Sequence, residues 1–243
     1  MTSEEVQSHA VAIQVDGYTV LPDLLSSEQV AAMLTRFEEL IAAKRAAEPF
    51  NRGPNRFQMY LPWEPPFTTP DLYRHPRVLE LVQAVMGPDP ALVYFASDTP
   101  LPGSDYQKVH SDTRLLFPEE AHSLPAYGLV LNVPLVDCSE ENGSLEFWPG
   151  GTHRIPVAVD RESLAAGMQS ARANLPAGHG LLRDLRMWHR GTPNRSGRLR
   201  PHLALVYVRP WYRFEQEVPS LTRAAFAALD PAGQRLLRYA RIY

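Results

Sequence analysis

After residue 90 the apolar residues of this chain recur with a period of two. ALVYFAS, YQKVHSDTRLLF, YGLVLNVPLVD, SLEFWP, HRIPVAV, HGLLRDLRMWH and HLALVYVRPW are short runs rich in β-branched and aromatic residues, separated by Gly, Pro, Asn and Asp. Alternation over such a run turns one face of a strand toward a core, and many runs punctuated by turn residues build a sandwich or barrel. The expected fold is mainly β with flanking helices, a jelly-roll with its helices packed outside.

The helices are expected before and after that region. Ser26 with Gln29 forms a capping-box pattern, and Val30, Met33, Leu34, Phe37, Leu40 and Ile41 then follow the spacing of one buried helical face. A second helix is expected from Pro76 to Met86, stopped by Gly87-Pro88. Residues 11–25 read as a short strand around a turn at Gly17 that leads to the first helix. From Pro54 to Pro70 prolines and aromatics are dense, which suits an ordered, irregular segment that cannot pair as a central strand and that either roofs a site or merely connects. Ser220–Tyr243 returns to helical spacing, with Asp230-Pro231 as N-cap and first helical residue. At 243 residues the chain fits one domain, since all-β barrels commonly run to about 200–250 residues as a unit. Its parts are a helical stretch over about 1–90, a jelly-roll core over about 91–213 and terminal helices over about 220–243.

Composition excludes several classes. A net charge of −3 with scattered arginines offers no basic field for a nucleic-acid backbone. The near absence of lysine, only Lys44 and Lys108, beside 23 prolines reads as coding bias in a GC-rich genome. The single Cys138 cannot form an internal disulfide, and MTSEEVQSHAV lacks the basic flank and apolar run of a secretory signal, so a cytosolic protein is expected. No apolar run reaches the ~18–20 residues needed to cross a bilayer.

Three residues form the candidate metal site. In a strand His110 and Asp112 would point to one face, about 6.6–7 Å apart at the backbone, so that imidazole and carboxylate can converge on one ion. An HxD pair alone occurs by chance in many chains. His189, at the end of another β-like run, supplies a second imidazole that several intervening strands can return to the first pair. Two imidazoles and one carboxylate with open positions suit a divalent first-row ion and match the facial triad of iron(II) oxygenases, although zinc hydrolases use similar ligands. Arg200, across the turn GTPNRSG from His189, can carry a guanidinium into the same barrel and bind a carboxylate bidentately. A dicarboxylate anchored there at one end can chelate the metal at the other.

Taken together, DGYTVLPDLLSSEQV, YQKVHSD, ENGSLEFWPGGTHR and WHRGTPNRSGRLRP resemble bacterial members of the phytanoyl-CoA dioxygenase family, nearly end to end. The resemblance implies a double-stranded β-helix of cupin-like form, iron(II) held by His110, Asp112 and His189, and 2-oxoglutarate held through its far carboxylate by Arg200. It also brings in Gln107 and Thr192 as further co-substrate residues. Asn132, on the strand face opposite to Leu129, Leu131 and Val133, either hydrogen-bonds inside the barrel or is a strand-edge residue paired with backbone. Related halogenases carry a small residue where Asp112 stands, so Asp112 favours hydroxylation or desaturation over halogenation. Arg183-Asp184 stands where the family commonly has Gly-Asp and reads as a tolerated turn change.

Other candidates weigh less. Arg114 continues the face of His110 and Asp112 if the strand stays regular and would meet an anionic group on the substrate; otherwise it is a structural or surface arginine. Tyr60, Trp63, Trp148 and Trp188 can line a pocket, and core packing explains Trp148 and Trp188 equally well. His153 is expected to fix its turn, and His202, of the same strand parity as Arg200, to be a packed, hydrogen-bonded histidine. His9, His75, His122 and His179 stand at no ligand spacing and read as surface or capping groups.

The implied activity is an iron(II)/2-oxoglutarate-dependent dioxygenase that uses O2 to hydroxylate an unactivated C–H bond of a natural-product or amino-acid-derived small molecule, releasing succinate and carbon dioxide. Two other classes remain: a cupin-like isomerase, epimerase or hydrolase with the metal as Lewis acid, which Arg200 argues against, and an inactive binding protein on the same fold, which the intact ligand identities argue against.

Overall fold

The computed structural model describes residues 1–117, 122–156 and 158–243. Along the chain come α1 (Ser3–Asp16), β1 (Tyr18–Leu21), α2 (Ser27–Ala47), β2 (Arg56–Tyr60), α3 (Pro70–Tyr73), α4 (Pro76–Met86), β3 (Ala91–Pro100) and β4 (Gly128–Pro134). There follow β5 (Glu146–Phe147), α5 (Arg161–Ala166), β6 (Ala171–Arg172), β7 (Gly180–Asp184), β8 (His189–Arg190) and β9 (His202–Val208). The last are β10 (Ser220–Leu221), α6 (Arg223–Ala227), α7 (Pro231–Leu236) and β11 (Arg241–Ile242).

The long strands join in one antiparallel sheet of order β1-β7-β4-β9-β3-β2, and a smaller antiparallel sheet has the order β6-β5-β8. This is the jelly-roll arrangement that the alternation predicts. Both faces of the central strands are buried, and the register says what covers each. Leu129, Leu131 and Val133 of β4 and Leu203, Leu205 and Tyr207 of β9 share one core with Met33 and Phe37 of α2 and Leu81 and Val82 of α4. The even-numbered residues of β4 and β9 turn the other way. Asn132 stands opposite Ala204, and Val130 is flanked by Val206 on β9 and Arg183 on β7. A bulge between Leu92 and Tyr94 shifts the parity of β3, so that Tyr94 and Asp98 join this inner face while Leu92 stays with the helices.

The first helix begins where the sequence is misread most clearly. Residues 3–16 are helical, with Thr2 as N-cap and a capping box to Glu5, and Gly17 in the left-handed region ends the helix before β1. β1 and β2 thus extend the jelly-roll sheet at its two edges from within the stretch read as helical. β2 lies in the proline-dense segment and tolerates it because an edge strand pairs on one side only.

α2 carries the expected box: Ser26 Oγ accepts from Gln29 N at 3.2 Å, and Gln29 Oε1 accepts from Ser26 N at 2.9 Å. Ser26→Ala is expected to cost about 1 kcal/mol, read as a lowered denaturant midpoint with unchanged slope.

Two further expectations fail. YQKVHSDTRLLF forms no strand: His110 makes a single isolated bridge to His189, and beyond it the Ser111 and Thr113 hydroxyls donate to the carbonyls of Thr113 and Arg114. Such local side-chain bonds compete with a ladder. In HRIPVAV the chain makes a 3₁₀ turn over Thr152–Arg154, and Val157 lies outside the described residues. No helix among the described residues is long and apolar enough to cross a membrane.

Candidate metal centre

Backbone pairing brings the three candidate ligands together across the mouth of the barrel. His110 N donates to His189 O at 3.0 Å and His189 N returns a bond to His110 O at 2.9 Å, while Asp112 N donates to Leu185 O at 2.9 Å. One ligand atom from each of His110, Asp112 and His189 lies within 4.8 Å of the others. The two imidazole centroids are 4.4 Å apart, and Asp112 Oδ1 stands 3.4 Å from His189 Nε2.

The tautomer each ring takes when neutral is set from behind. His110 Nδ1 lies 2.8 Å from Lys108 O, and His189 Nδ1 lies 2.9 Å from Met187 O. A carbonyl oxygen can only accept, so each Nδ1 is a donor, and each Nε2 keeps the lone pair a metal requires. Burial and the neighbouring His189 push His110 down to about 4, which keeps it neutral at ordinary pH. Burial alone would raise the Asp112 carboxyl, but Arg183 and His189 hold it well below the usual carboxylate range. The donor set, two imidazoles and one carboxylate, fits a divalent first-row ion.

The centre opens on a cavity of about 190 Å³. Its walls include Gln107, Asn132, Arg183 and His202, with Tyr94 and Val206 as apolar surface and Arg52, Gln58, Asp98 and Gln216 as further polar groups. Gln107 Oε1 accepts from Gly191 N at 2.9 Å, holding the loop after His189. Asn132 takes the interior of its two readings, its Oδ1 accepting from Arg183 Nε at 3.1 Å.

Arg200 lies directly behind that wall, with no exposed surface. Its Nη1 donates to His202 Nδ1, its Nη2 donates to Gly143 O at 2.8 Å, and its buried Nε has no hydrogen-bond partner in the protein. An orphaned guanidinium donor at this depth is what an incoming carboxylate would satisfy. His202 proves to be both packed and pocket-lining. Burial, with Arg200 acting in the same direction, pushes it down from 6.5 to about 3. The unfolded chain protonates this group near 6.5 and the folded protein does not, so stability present above pH 6.5 is lost progressively as pH falls toward 3. Urea unfolding between pH 7 and 4 should therefore show a shallower loss in His202→Gln than in the unmutated protein.

Four expectations need correction. Arg183 is no turn residue: it lies in β7, buried, with Nη2 2.7 Å from Asp112 Oδ2. Arg114 leaves the face of the ligands where the strand breaks down; its side chain is 86% exposed and 3.4 Å from Glu215. Thr192 is buried with its hydroxyl turned away, donating to Ser144 O at 2.8 Å. Tyr60 sits at the rim, its hydroxyl 3.3 Å from Gln216 and its ring edge-on to Tyr94. Trp148 and Trp188 pack with Val109 and Ala165, Trp63 packs between Tyr73 and Phe95, and His153 braces its turn through a 3.1 Å bond from Nε2 to Gln14 O.

The charged and amide cavity residues that reading by motif passes over are Arg52, Gln58, Asp98, Arg183 and Gln216. Strand parity carried a signal for two of them, since Asp98 and Arg183 share the inner face with Asn132 once the register is known.

A sequence model of the phytanoyl-CoA dioxygenase (PhyH) family matches residues 13–202. Among solved structures, AviO1 from Streptomyces viridochromogenes Tue57 superposes with a TM-score of 0.70 at 20% identity, covering 88% of this chain and 99% of that one. SnoN, described as a non-haem α-ketoglutarate-dependent epimerase from nogalamycin biosynthesis, gives 0.66 at 22% identity, covering 85% and 82%. HygX from Streptomyces hygroscopicus, solved with nickel and 2-oxoglutarate bound, gives 0.64 at 18% identity, covering 91% of each chain. These likenesses place the fold among the cupin-like double-stranded β-helices.

Proposed function

Because the chain belongs to the phytanoyl-CoA dioxygenase family, we propose that it is an iron(II)- and 2-oxoglutarate-dependent oxygenase that hydroxylates an unactivated C–H bond of a small, polar natural-product or amino-acid-derived substrate. Residues 1–243 act in this proposal as one cytosolic catalytic domain with a small molecule, not nucleic acid or membrane, as partner. The observation that carries it is the convergence of His110, Asp112 and His189 within 4.8 Å, with both Nδ1 atoms committed to carbonyls.

His110, Asp112 and His189 would hold iron(II), and Arg200 would hold the far carboxylate of 2-oxoglutarate through the donors now spent on His202 and Gly143 and the orphaned Nε. Bound together, iron, 2-oxoglutarate and O2 supply an oxidant strong enough to attack an unactivated C–H bond, with succinate and carbon dioxide as by-products. The chain's own residues orient and enclose. Asp98, Asn132, Gln58 and Gln216 line the cavity together with Tyr94, Val206 and Phe214, a lining suited to a compact polar molecule and poorly suited to a long acyl chain.

A second outcome of the same chemistry, epimerisation, is favoured by the likeness to SnoN. Iron(II)-dependent formation of succinate from 2-oxoglutarate under air, stimulated by candidate substrates, tests the class. A product heavier by one oxygen identifies hydroxylation, and a product of unchanged mass identifies epimerisation. Metal-dependent hydrolysis with no consumption of 2-oxoglutarate would replace the proposal by the Lewis-acid reading.

A further inference from the structure

Arg183 has more donors than the surrounding protein has acceptors. Its Nε donates to Asn132 Oδ1 at 3.1 Å, its Nη2 forms an ion pair with Asp112 Oδ2 at 2.7 Å, and only 4% of the side chain is exposed. The nearest partner of Nη1 is His189 Nδ1 at 3.4 Å. That nitrogen already donates its own hydrogen to Met187 O, so it has no lone pair to offer. The other ring nitrogen, Nε2, is 3.4 Å from Nη2 and is the atom reserved for the metal. With His189 Nδ1 spent on Met187 O, Nη1 has no acceptor among its contacts, on a buried residue that lines the cavity beside the three ligands.

Charge points the same way. Asp112 is the anion that pairs with Arg183, and it is also the anionic ligand of the metal site. Once a divalent ion binds, one carboxylate faces both the ion and a guanidinium, and the centre carries an excess of positive charge in a setting of low dielectric. Oδ2 held by Arg183 leaves Oδ1, the oxygen nearer His189, to meet the ion. A second anion at the metal edge would complete the arrangement.

Building on the proposed function, we infer that Arg183, braced by Asn132, is a second carboxylate receptor on the metal side of the cavity, separate from Arg200. The carboxylate comes either from the keto-acid end of 2-oxoglutarate or from the substrate.

The test uses the full-length protein loaded with nickel(II). Calorimetry measures its affinity for 2-oxoglutarate and for 2-oxobutyrate, which keeps the keto-acid end and lacks the far carboxylate. Binding of benzoate to the nickel and 2-oxoglutarate complex, read by paramagnetic relaxation of its protons, probes the substrate side. Arg183→Met should weaken both keto acids about 10-fold or more, the scale of a lost charge-assisted hydrogen bond, with partial recovery in Arg183→Lys; Arg200→Met should weaken 2-oxoglutarate and spare 2-oxobutyrate. If Arg183→Met spares both keto acids and abolishes benzoate binding, the carboxylate is the substrate's. If it spares all three probes, or lowers only nickel affinity and thermal stability, the receptor assignment is overturned. Failure of the unmutated protein to bind 2-oxoglutarate in the presence of nickel overturns the reading of the whole site, and this inference with it.

Discussion

Asp112→Ala should abolish iron(II)-dependent consumption of 2-oxoglutarate while leaving the protein folded. Asp112 is the anionic member of the proposed ligand set, and its loss would remove both a donor atom and the charge that offsets the ion. Replacing a residue that merely supports a metal ligand costs about 10–100-fold in metal affinity or activity, so loss of a ligand itself should exceed that range. The fold is expected to survive because the backbone bond to Leu185 O remains and Asp112 contributes no side chain to the hydrophobic cores, with a lowered stability because the buried Arg183 loses its anion. His189→Ala should match it in activity and also lose stability, since the His189 ring is buried against the backbone at Met187. Metal content after desalting, succinate yield and the circular dichroism spectrum separate these effects. Retention of metal and turnover by Asp112→Ala would show that the centre is not where the three side chains converge.

The convergence of His110, Asp112 and His189 was legible in the sequence because two imidazoles and a carboxylate are a set that suits a divalent first-row ion wherever the fold brings them together. The long strands were legible for a different reason, since β4 and β9 are rich in β-branched and other apolar residues that only a sheet buries, with Asn132 the polar residue within β4. What was hidden depended on register. Arg183 carries no motif, and whether it faces helices or cavity is decided by its pairing with Val130, a contact between residues far apart in the chain. α1 was hidden for a different reason. Only Ala10 and Ile13 of its residues are buried, so it shows no apolar stripe, and its legible mark was the Thr2 and Glu5 capping box. Arg114 went wrong because a regular strand was assumed beyond Asp112, where hydroxyl-to-backbone bonds redirect the chain.

Gly143→Ala should couple a loss of stability to a loss of co-substrate binding. Gly143 has φ +85, in the left-handed region where a Cβ costs about 1–2 kcal/mol. An added Cβ would lie 2.8 Å from Thr192 O, 3.1 Å from Pro193 O and 3.2 Å from Asn194 N. All three are backbone atoms of the segment that follows His189, so no side chain can swing aside, and overpacking of this kind adds about 1–3 kcal/mol. A total loss of roughly 2–5 kcal/mol is expected in equilibrium unfolding. The second consequence follows from what Gly143 holds, because its carbonyl accepts from Arg200 Nη2 at 2.8 Å. Displacing that carbonyl frees or tilts the guanidinium, so the affinity of the nickel-loaded protein for 2-oxoglutarate should fall while its affinity for nickel, set by residues on other segments, changes little. Ser144→Ala, next to the glycine and free of the positive φ, is the control: it should leave 2-oxoglutarate affinity intact. Equal affinities in Gly143→Ala and the unmutated protein would detach Arg200 from the co-substrate and send the search for the far carboxylate's partner elsewhere in the cavity.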